Sequence, residues 1–487
     1  MTEATAVLSY AVRPAVVGRH LGQLALVHAA LTLVPLVVAI ALGDHGLGLR
    51  LAVTIVVLIA LGLAALRASP TAHLQTNEGL AVAALAFVLS PLFITWPMMA
   101  DGLPVLDAFF ESVSALTTTG LTMLDRVAER SPAFLFVRAW LQWIGGLGFA
   151  ALAVALLLGP HADARRLTGT DTPESTSTTA HLYARRVLLV YLALTALGVI
   201  VLWAVIDDGF SALLHILSAI STGGFSAFDD SLAGLPKPEG AWVVNSWCIL
   251  GATPLILYHR AASGRPAALL KDAEVLTLLA AVALGTLLLS IVLHWRNDLS
   301  WTAALHHSAL LAASAQTTAG FSTLPVAMLD PTAKLIAIVA MLTGGSVGST
   351  AGGLKLLRLL VLLRVTQFAL RRTAMPAHAV AIPRLEGRNL GPGDVQRATL
   401  ALFLLLATTL LSWAPFVAAG HAPLDSLFEV VSALGTVGLS TGITGPHLAP
   451  ELKLLLCADM LMGRLEIVAL LVLIYPPTWI ARRTEMA

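Results

Sequence analysis

Ser114-Ala115-Leu116-Thr117-Thr118-Thr119-Gly120-Leu121-Thr122 is a nine-residue word that recurs along this chain. It returns as Ser218-Ala219-Ile220-Ser221-Thr222-Gly223-Gly224-Phe225-Ser226 and as Ser314-Ala315-Gln316-Thr317-Thr318-Ala319-Gly320-Phe321-Ser322. The last copy is Ser432-Ala433-Leu434-Gly435-Thr436-Val437-Gly438-Leu439-Ser440. The shared pattern is S-A-x-x-T-x-G-[LF]-[ST], with successive glycines separated by 104, 96 and 118 positions. With average residue usage such a word arises at a given start on the order of once in a million. The copies therefore mark an internal repeat.

Each copy closes a short apolar segment, at 107–116, 211–220, 303–316 and 425–434, too short to cross a hydrocarbon core as a helix. Longer apolar runs flank them, at 21–42, 50–66, 79–100, 133–158, 186–206, 241–258, 273–295, 334–366, 396–418 and 452–480. The reading is an all-α polytopic membrane protein. Its repeating unit is helix, re-entrant short helix, loop, helix. The expected organisation is a helix pair over 1–77, then pore units over 78–160, 161–265, 266–375 and 376–487, arranged around one pore. Composition agrees, because 57% of the 487 residues are hydrophobic and 12% charged, against about 25% charged in soluble domains. The polar stretches are too short for a sizeable soluble domain. Cys248 and Cys457, both inside apolar runs, offer neither a disulfide framework nor metal spacing.

An inside N-terminus places 20 of the 29 lysines and arginines in inner segments, among them Arg165, Arg166, Arg265, Arg482 and Arg483, as cytoplasmic loops require. Both termini are then cytoplasmic. The opposite side collects acids, including Asp107, Glu111, Asp125, Asp229, Asp230, Asp425, Glu429 and Asp459. Together they would draw cations to an outer mouth.

The loop residues suit a bare alkali cation, whose hydration shell is replaced by rings of backbone carbonyls without a fixed charge. Irregular backbone at membrane depth is tolerated where it is buried in protein or lines a water-filled path. Glycine takes φ > 0, so that neighbouring carbonyls face one way. The threonine two residues earlier adds a hydroxyl oxygen below. The candidate ion-binding residues are Thr117, Thr118, Thr119 and Gly120; Ser221, Thr222, Gly223 and Gly224; Thr317, Thr318, Ala319 and Gly320; and Gly435, Thr436, Val437 and Gly438. The short helix before each loop aims its partially negative C-terminus at the pore. Asp107, Ser211 and Asp425 read as its N-caps, with His307 at the third position, where Thr302 is the alternative cap. Thr436-Val437-Gly438 matches the start of the Thr-Val-Gly-Tyr-Gly potassium filter. The second glycine is absent, which implies a shorter filter.

With these loops, and with Gln142-Trp143-Ile144-Gly145-Gly146, Met462-Gly463-Arg464-Leu465-Glu466-Ile467 and the run from Gly344 to Lys355, the chain resembles the Trk/Ktr/HKT superfamily of potassium transporters. It is most similar to the membrane subunit of the bacterial Trk system, although Gly435-Thr436-Val437-Gly438 looks closer to the Ktr branch. The resemblance implies potassium as the transported ion, held at the loop residues, in a bacterial cytoplasmic membrane. Glycine at all four filter positions, Gly120, Gly224, Gly320 and Gly438, goes with potassium preference in such proteins. It also implies a homodimer with one pore per protomer, docked on a cytoplasmic ring of nucleotide-binding regulatory subunits of the TrkA/KtrA type. No phosphate-binding loop is encoded here, so a nucleotide (ATP/ADP or NAD(H)) would act only through that partner. No nucleic-acid partner is expected.

The run 334–366 is too long for one straight span and is interrupted by Gly344, Gly345, Ser346, Gly348, Ser349, Thr350, Gly352 and Gly353. Close helix packing through small residues is one reading. The resemblance implies another, an intramembrane gating loop below the filter, with Arg464 of the last helix reaching it. A salt bridge from Arg464 to Asp459 or Glu466 is the alternative, and Lys355 and Arg358 are expected to snorkel. Two rival functions follow from other features. A secondary cation carrier with alternating access would show inverted repeats, whereas these repeats run in one sense. An enzyme would need more than His215, His306 and His307, which lack a carboxylate at metal-ligand spacing.

Overall fold

The computed structural model describes residues 11–69, 74–157, 176–264, 267–376, 382–465 and 467–480. Arg165, Arg166, Arg265, Arg482, Arg483 and Glu466, all invoked above, lie outside these residues. Among the described residues the regular structure is helical apart from one two-stranded hairpin.

The N-terminal pair is α1, Pro14–Ala41, and α2, His45–Ala68. Gly22 and Gly62 face each other so closely that a Cβ on either would press on the other's carbonyl oxygen, the small-residue contact expected where lipid supplies no hydrophobic drive. Arg13 Nε pairs with Glu78 at 2.6 Å and fastens this pair to the first unit.

The first unit comprises α3, Thr76–Met98, the pore helix α4, Val105–Leu116, and α5, Pro132–Leu157. The second comprises α6, Thr176–Ile206, the pore helix α7, Gly209–Ile220, then α8, Glu239–Gly251, and α9, Leu255–Ala262. The third comprises α10, Ala273–Arg296, the pore helix α11, Trp301–Gln316, then α12, Pro331–Thr343, and α13, Leu356–Arg372. A hairpin follows, β1 Arg384–Leu385 against β2 Arg388–Asn389, turned by Glu386-Gly387 with both residues at positive φ. The fourth unit comprises α14, Pro392–Ala418, the pore helix α15, Pro423–Leu434, then α16, Pro450–Arg464, and α17, Val468–Ile474.

All four short segments are helices of 12 to 16 residues ending at the repeated word. The ten expected spans need correction. Among the described residues six helices are long and apolar enough to cross a membrane: α1, α2, α3, α6, α10 and α14. The span expected at 133–158 is the unbroken α5. The remaining three are broken. At 241–258 the chain bends by 90° between α8 and α9, where Pro254 lacks the N–H that would continue the helix. At 334–366 it is non-helical from Gly344 to Lys355, and at 452–480 it breaks after Arg464. All three breaks lie in the helix that follows a filter.

Candidate functional site: a ring of four re-entrant loops

The repeated word builds the same corner each time. In the first copy Thr118 N–H bonds the carbonyl of Ala115 and Thr119 N–H that of Ser114, while Thr118 itself sits at φ 53°. This is a Schellman C-cap, with threonine in the left-handed position that glycine usually takes. Thr222, Thr318 and Thr436 repeat it at φ 53°, 54° and 49°. The serine that opens the word supplies the carbonyl of this cap. In the first and fourth copies its hydroxyl also accepts the N–H of the filter glycine, Ser114 from Gly120 and Ser432 from Gly438, both at 3.0 Å. The recurrence of serine thus has a backbone cause that the word alone did not disclose.

Two residues on, Gly120, Gly224, Gly320 and Gly438 lie at φ 95°, 81°, 77° and 95°. Their neighbours define the ring. A Cβ on Gly120 would overlap the carbonyl oxygen of Gly223, and one on Gly224 that of Ala319. One on Gly320 would overlap the oxygen of Val437, and one on Gly438 that of Thr119. The four loops therefore close on themselves in chain order, each glycine seated against the carbonyl of the next unit. One position along, the Thr118 and Thr436 hydroxyls are buried without a hydrogen-bond partner.

Above this ring opens a vestibule of about 470 Å³, floored by the four glycines and lined by Asp125, Asp229 and Asp230. Of the acids assigned to that side, Glu111 and Glu429 do not line it but are buried against backbone. Glu111 is buried and accepts from Thr122 Oγ1, Met123 N–H and Arg138 Nε at 2.5, 2.6 and 3.0 Å. Glu429 does the same work in the fourth unit, accepting from Ser440, Thr441 and Thr444 at 2.5 to 2.9 Å. Both carboxylates brace the backbone that follows the repeated word. In the second unit His215 takes that position, with Nε2 at 3.0 Å from Ser226 Oγ and Nδ1 at 2.7 Å from the Ser211 carbonyl. It is a satisfied core histidine. Among the described residues no group of three or more His, Cys, Asp or Glu is placed to hold a metal.

The N-caps also differ from expectation. Asp107 and Asp425 lie in the first turn of their helices and instead bind lysines of α16 and α12. Lys453 Nζ meets Asp107 at 2.5 Å and Lys334 Nζ meets Asp425 at 2.7 Å. Asp208, not Ser211, caps α7, and hydrogen bonds from Ser211 and Phe210 hold its carboxyl below the usual range. Ser300 caps α11, not Thr302 or His307, and His307 Nδ1 lies 2.9 Å from Thr323 Oγ1.

Below the ring lies the segment Gly344 to Lys355. Gly352 N–H donates to Thr318 Oγ1 at 2.7 Å, and a Cβ on Gly352 would strike the Gly435 carbonyl and the Thr436 hydroxyl. Thr350 Oγ1 donates to the carbonyls of Ile220 and Gly251 at 2.9 and 3.0 Å. Leu255 N–H bonds the Gly348 carbonyl across the break of the second unit. Gln316 Nε2 donates to the Gly344 carbonyl at 2.6 Å. Arg464 reaches this segment as expected, with Nη1 at 2.7 Å from the Thr350 carbonyl and Nη2 at 3.2 Å from that of Gly145. Asp459 is not its partner, since its carboxylate accepts from Ser412 at 2.7 Å. Lys355 does not snorkel. It is buried, and its ammonium donates to the Ala351 carbonyl.

The motif in α5 is explained by contact. Gln142 Nε2 donates to the Gly223 carbonyl at 2.5 Å and its Oε1 accepts from Phe225 N–H at 3.2 Å, bracing the second loop. Cys248 and Cys457 are buried free thiols, as read.

Comparison with known proteins agrees with this architecture. A structural match to the potassium transporter TrkH from Vibrio parahaemolyticus has a TM-score of 0.86 at 28% identity, covering 96% of this chain and all of that one. The Trk system potassium uptake protein TrkH of Halomonas elongata is 29% identical over 95% of this chain and 98% of its own. An uncharacterized cation transporter of Methanocaldococcus jannaschii is 28% identical over 84% of each. The family model described as TrkH, cation transport protein, matches residues 50–477. The chain belongs to the TrkH family of cation transport proteins.

Proposed function

We propose that this protein takes up potassium across the bacterial cytoplasmic membrane, through a filter formed by residues 117–120, 221–224, 317–320 and 435–438. The observation that carries this reading is the closed ring, in which every filter glycine sits against a neighbour's carbonyl. A cation that sheds water there meets carbonyl oxygens from four units and, one level down, the partnerless Thr118 and Thr436 hydroxyls. Four pore helices point their C-termini at it and add favourable potential. The similar proteins of Halomonas elongata and Vibrio parahaemolyticus carry potassium in their names.

The segment from Gly344 to Gly353 is the gate in this reading. Gly352 seats against the lowest filter oxygens and Arg464 holds it through the Thr350 carbonyl. The vestibule faces outward, both termini are cytoplasmic, and the chain works as a homodimer. A separate nucleotide-binding ring moves the gate from the cytoplasmic side.

The test is rubidium and sodium influx into cells lacking their own potassium uptake systems. The native chain, with its regulatory partner, should favour rubidium. Gly120→Ser places a Cβ on the Gly223 carbonyl and should reduce that preference by roughly tenfold, one misplaced oxygen's worth of coordination. Equal loss of both fluxes, with the preference kept, would count against Gly120 as a filter residue.

A further inference from the structure

The intramembrane segment is held by a side chain that no motif pointed to. Val347, at its tip, donates its N–H to Glu274 Oε2 at 2.6 Å. Glu274 stands in the first turn of α10, the helix that opens the third unit, and its own N–H and that of Val275 are capped by Asp272 at 3.0 and 3.2 Å. The adjoining N–H, of Ala273, is taken by Glu386 Oε1 at 2.8 Å. Glu386 is exposed, at the turn of the β1–β2 hairpin. Two hydrogen bonds, joined by the covalent Ala273–Glu274 backbone at the start of α10, thus connect an exposed hairpin to the unwound segment. Hydrogen bonds to an ionised carboxylate are about twice as strong as neutral ones, and this one grips backbone that no helix supports.

We propose that Glu274 is a second latch on the gate, independent of Arg464, and that the hairpin turn at Glu386 is the handle through which it is released. Glu274 is a positioning residue, touching the loop and not the ion. The proposal rests on the gating reading above. Its physical basis is division of labour. Arg464 holds the Thr350 carbonyl next to the filter, whereas Glu274 holds Val347 on the far side, towards the hairpin. A force applied at the hairpin turn reaches the loop through α10, and also through α13, which follows the loop and packs Val361 against Leu385 of the hairpin.

The test is resting rubidium influx into vesicles containing the purified full-length chain without any partner, with rubidium-over-sodium preference measured in parallel. Arg464→Ala should raise resting influx. Glu274→Ala should raise it by roughly tenfold, the ratio set by loss of one charge-assisted hydrogen bond, with ion preference unchanged. Glu274→Gln keeps an acceptor and should restore most of the native block. Glu386→Ala, on the exposed turn, should give a smaller rise of the same kind. It serves as the second variant if Glu274→Ala is not recovered as a monodisperse protein. A rise with Arg464→Ala but none with Glu274→Ala or Glu386→Ala overturns the latch and leaves the gate reading intact. No rise with any of the three, although preference for rubidium is kept, removes the gate reading and the latch with it.

Discussion

In the first unit the helix after the filter passes the pore helix unbroken, and in the third it does not. A glycine on α5 makes the first crossing possible: a Cβ on Gly145 would overlap the carbonyl of Leu116, the last residue of the pore helix. Gly251 meets Ile220 and Gly463 meets Leu434 in the same way. At the equivalent pore-helix end the third unit carries Gln316, and there the crossing is polar. Its amide donates to the Gly344 carbonyl and to Thr343 Oγ1, at 2.6 and 3.0 Å, where α12 has just stopped. A backbone that leaves the helix inside a membrane must have its carbonyls satisfied by the protein. Gln316 of the third unit and Arg464 of the fourth donate to carbonyls of the unwound segment, while Thr318 and Glu274 of the third unit accept two of its N–H groups. In the first unit the unbroken α5 pairs its own backbone, and Arg464 Nη2 adds one donor, to the Gly145 carbonyl.

The junctions differ in step with this. Lys453 of the fourth unit bolts onto Asp107 of the first, and Lys334 of the third onto Asp425 of the fourth. At the corresponding position of the third pore helix stands His307, which bonds Thr323 of its own unit. The pseudo-fourfold ring is therefore charged at the entry to two units and not at the entry to the unit that carries the unwound segment. The same repeat is thus crossed in one unit by an unbroken helix and in another by an unwound segment held by side chains.

The largest effect should come from breaking a bolt. Lys453→Met leaves Asp107 buried without its counter-charge, which should cost about 3–5 kcal/mol and appear as a marked drop in the thermal unfolding midpoint in detergent. Replacing Asp107 as well, by Leu, should recover most of the loss, and failure to recover would place the stabilisation elsewhere. Next, Gly145→Leu forces a side chain into the Leu116 carbonyl and should cost about 1–3 kcal/mol, as overpacking does, with lower yield of folded protein. If Gly145→Leu behaves like the native chain, close crossing is not what distinguishes the first unit. The smallest change in stability, and the most informative change in function, should be Gln316→Leu, which gives the third unit the residue type of the others. Resting rubidium influx should rise severalfold, about the effect of losing one or two hydrogen bonds to the loop, while the folded yield stays near native. An unchanged influx would mean that Gln316 only fills space.

Much of this architecture was legible in the residues alone. A Schellman corner followed by a glycine at positive φ needs particular residue types at fixed spacing, so the same word had to recur wherever the corner did. Apolar run length separated spanning segments from re-entrant ones for an equally local reason, the thickness of the bilayer. The glycines of 344–353 marked an interrupted helix, and an arginine in an apolar span marked a buried partner. Signals that were present but not used include Pro254, at the break of the second unit, and Gln316, the one polar residue at a position otherwise Leu or Ile.

The tertiary structure decided everything that depends on pairing across units. That the loops interlock in chain order, glycine against the next carbonyl, follows from contacts between residues about a hundred positions apart. Asp107 looks like a helix cap until Lys453, 346 residues away, is brought to it. Glu111 and Glu429 look like mouth charges until the backbone that follows the repeated word folds back over them. Local backbone preference and hydrophobic length act over a few residues and are written into the sequence directly. The partner of a buried charge or of an unwound carbonyl is chosen by packing, and only the assembled ring brings those partners within hydrogen-bonding distance.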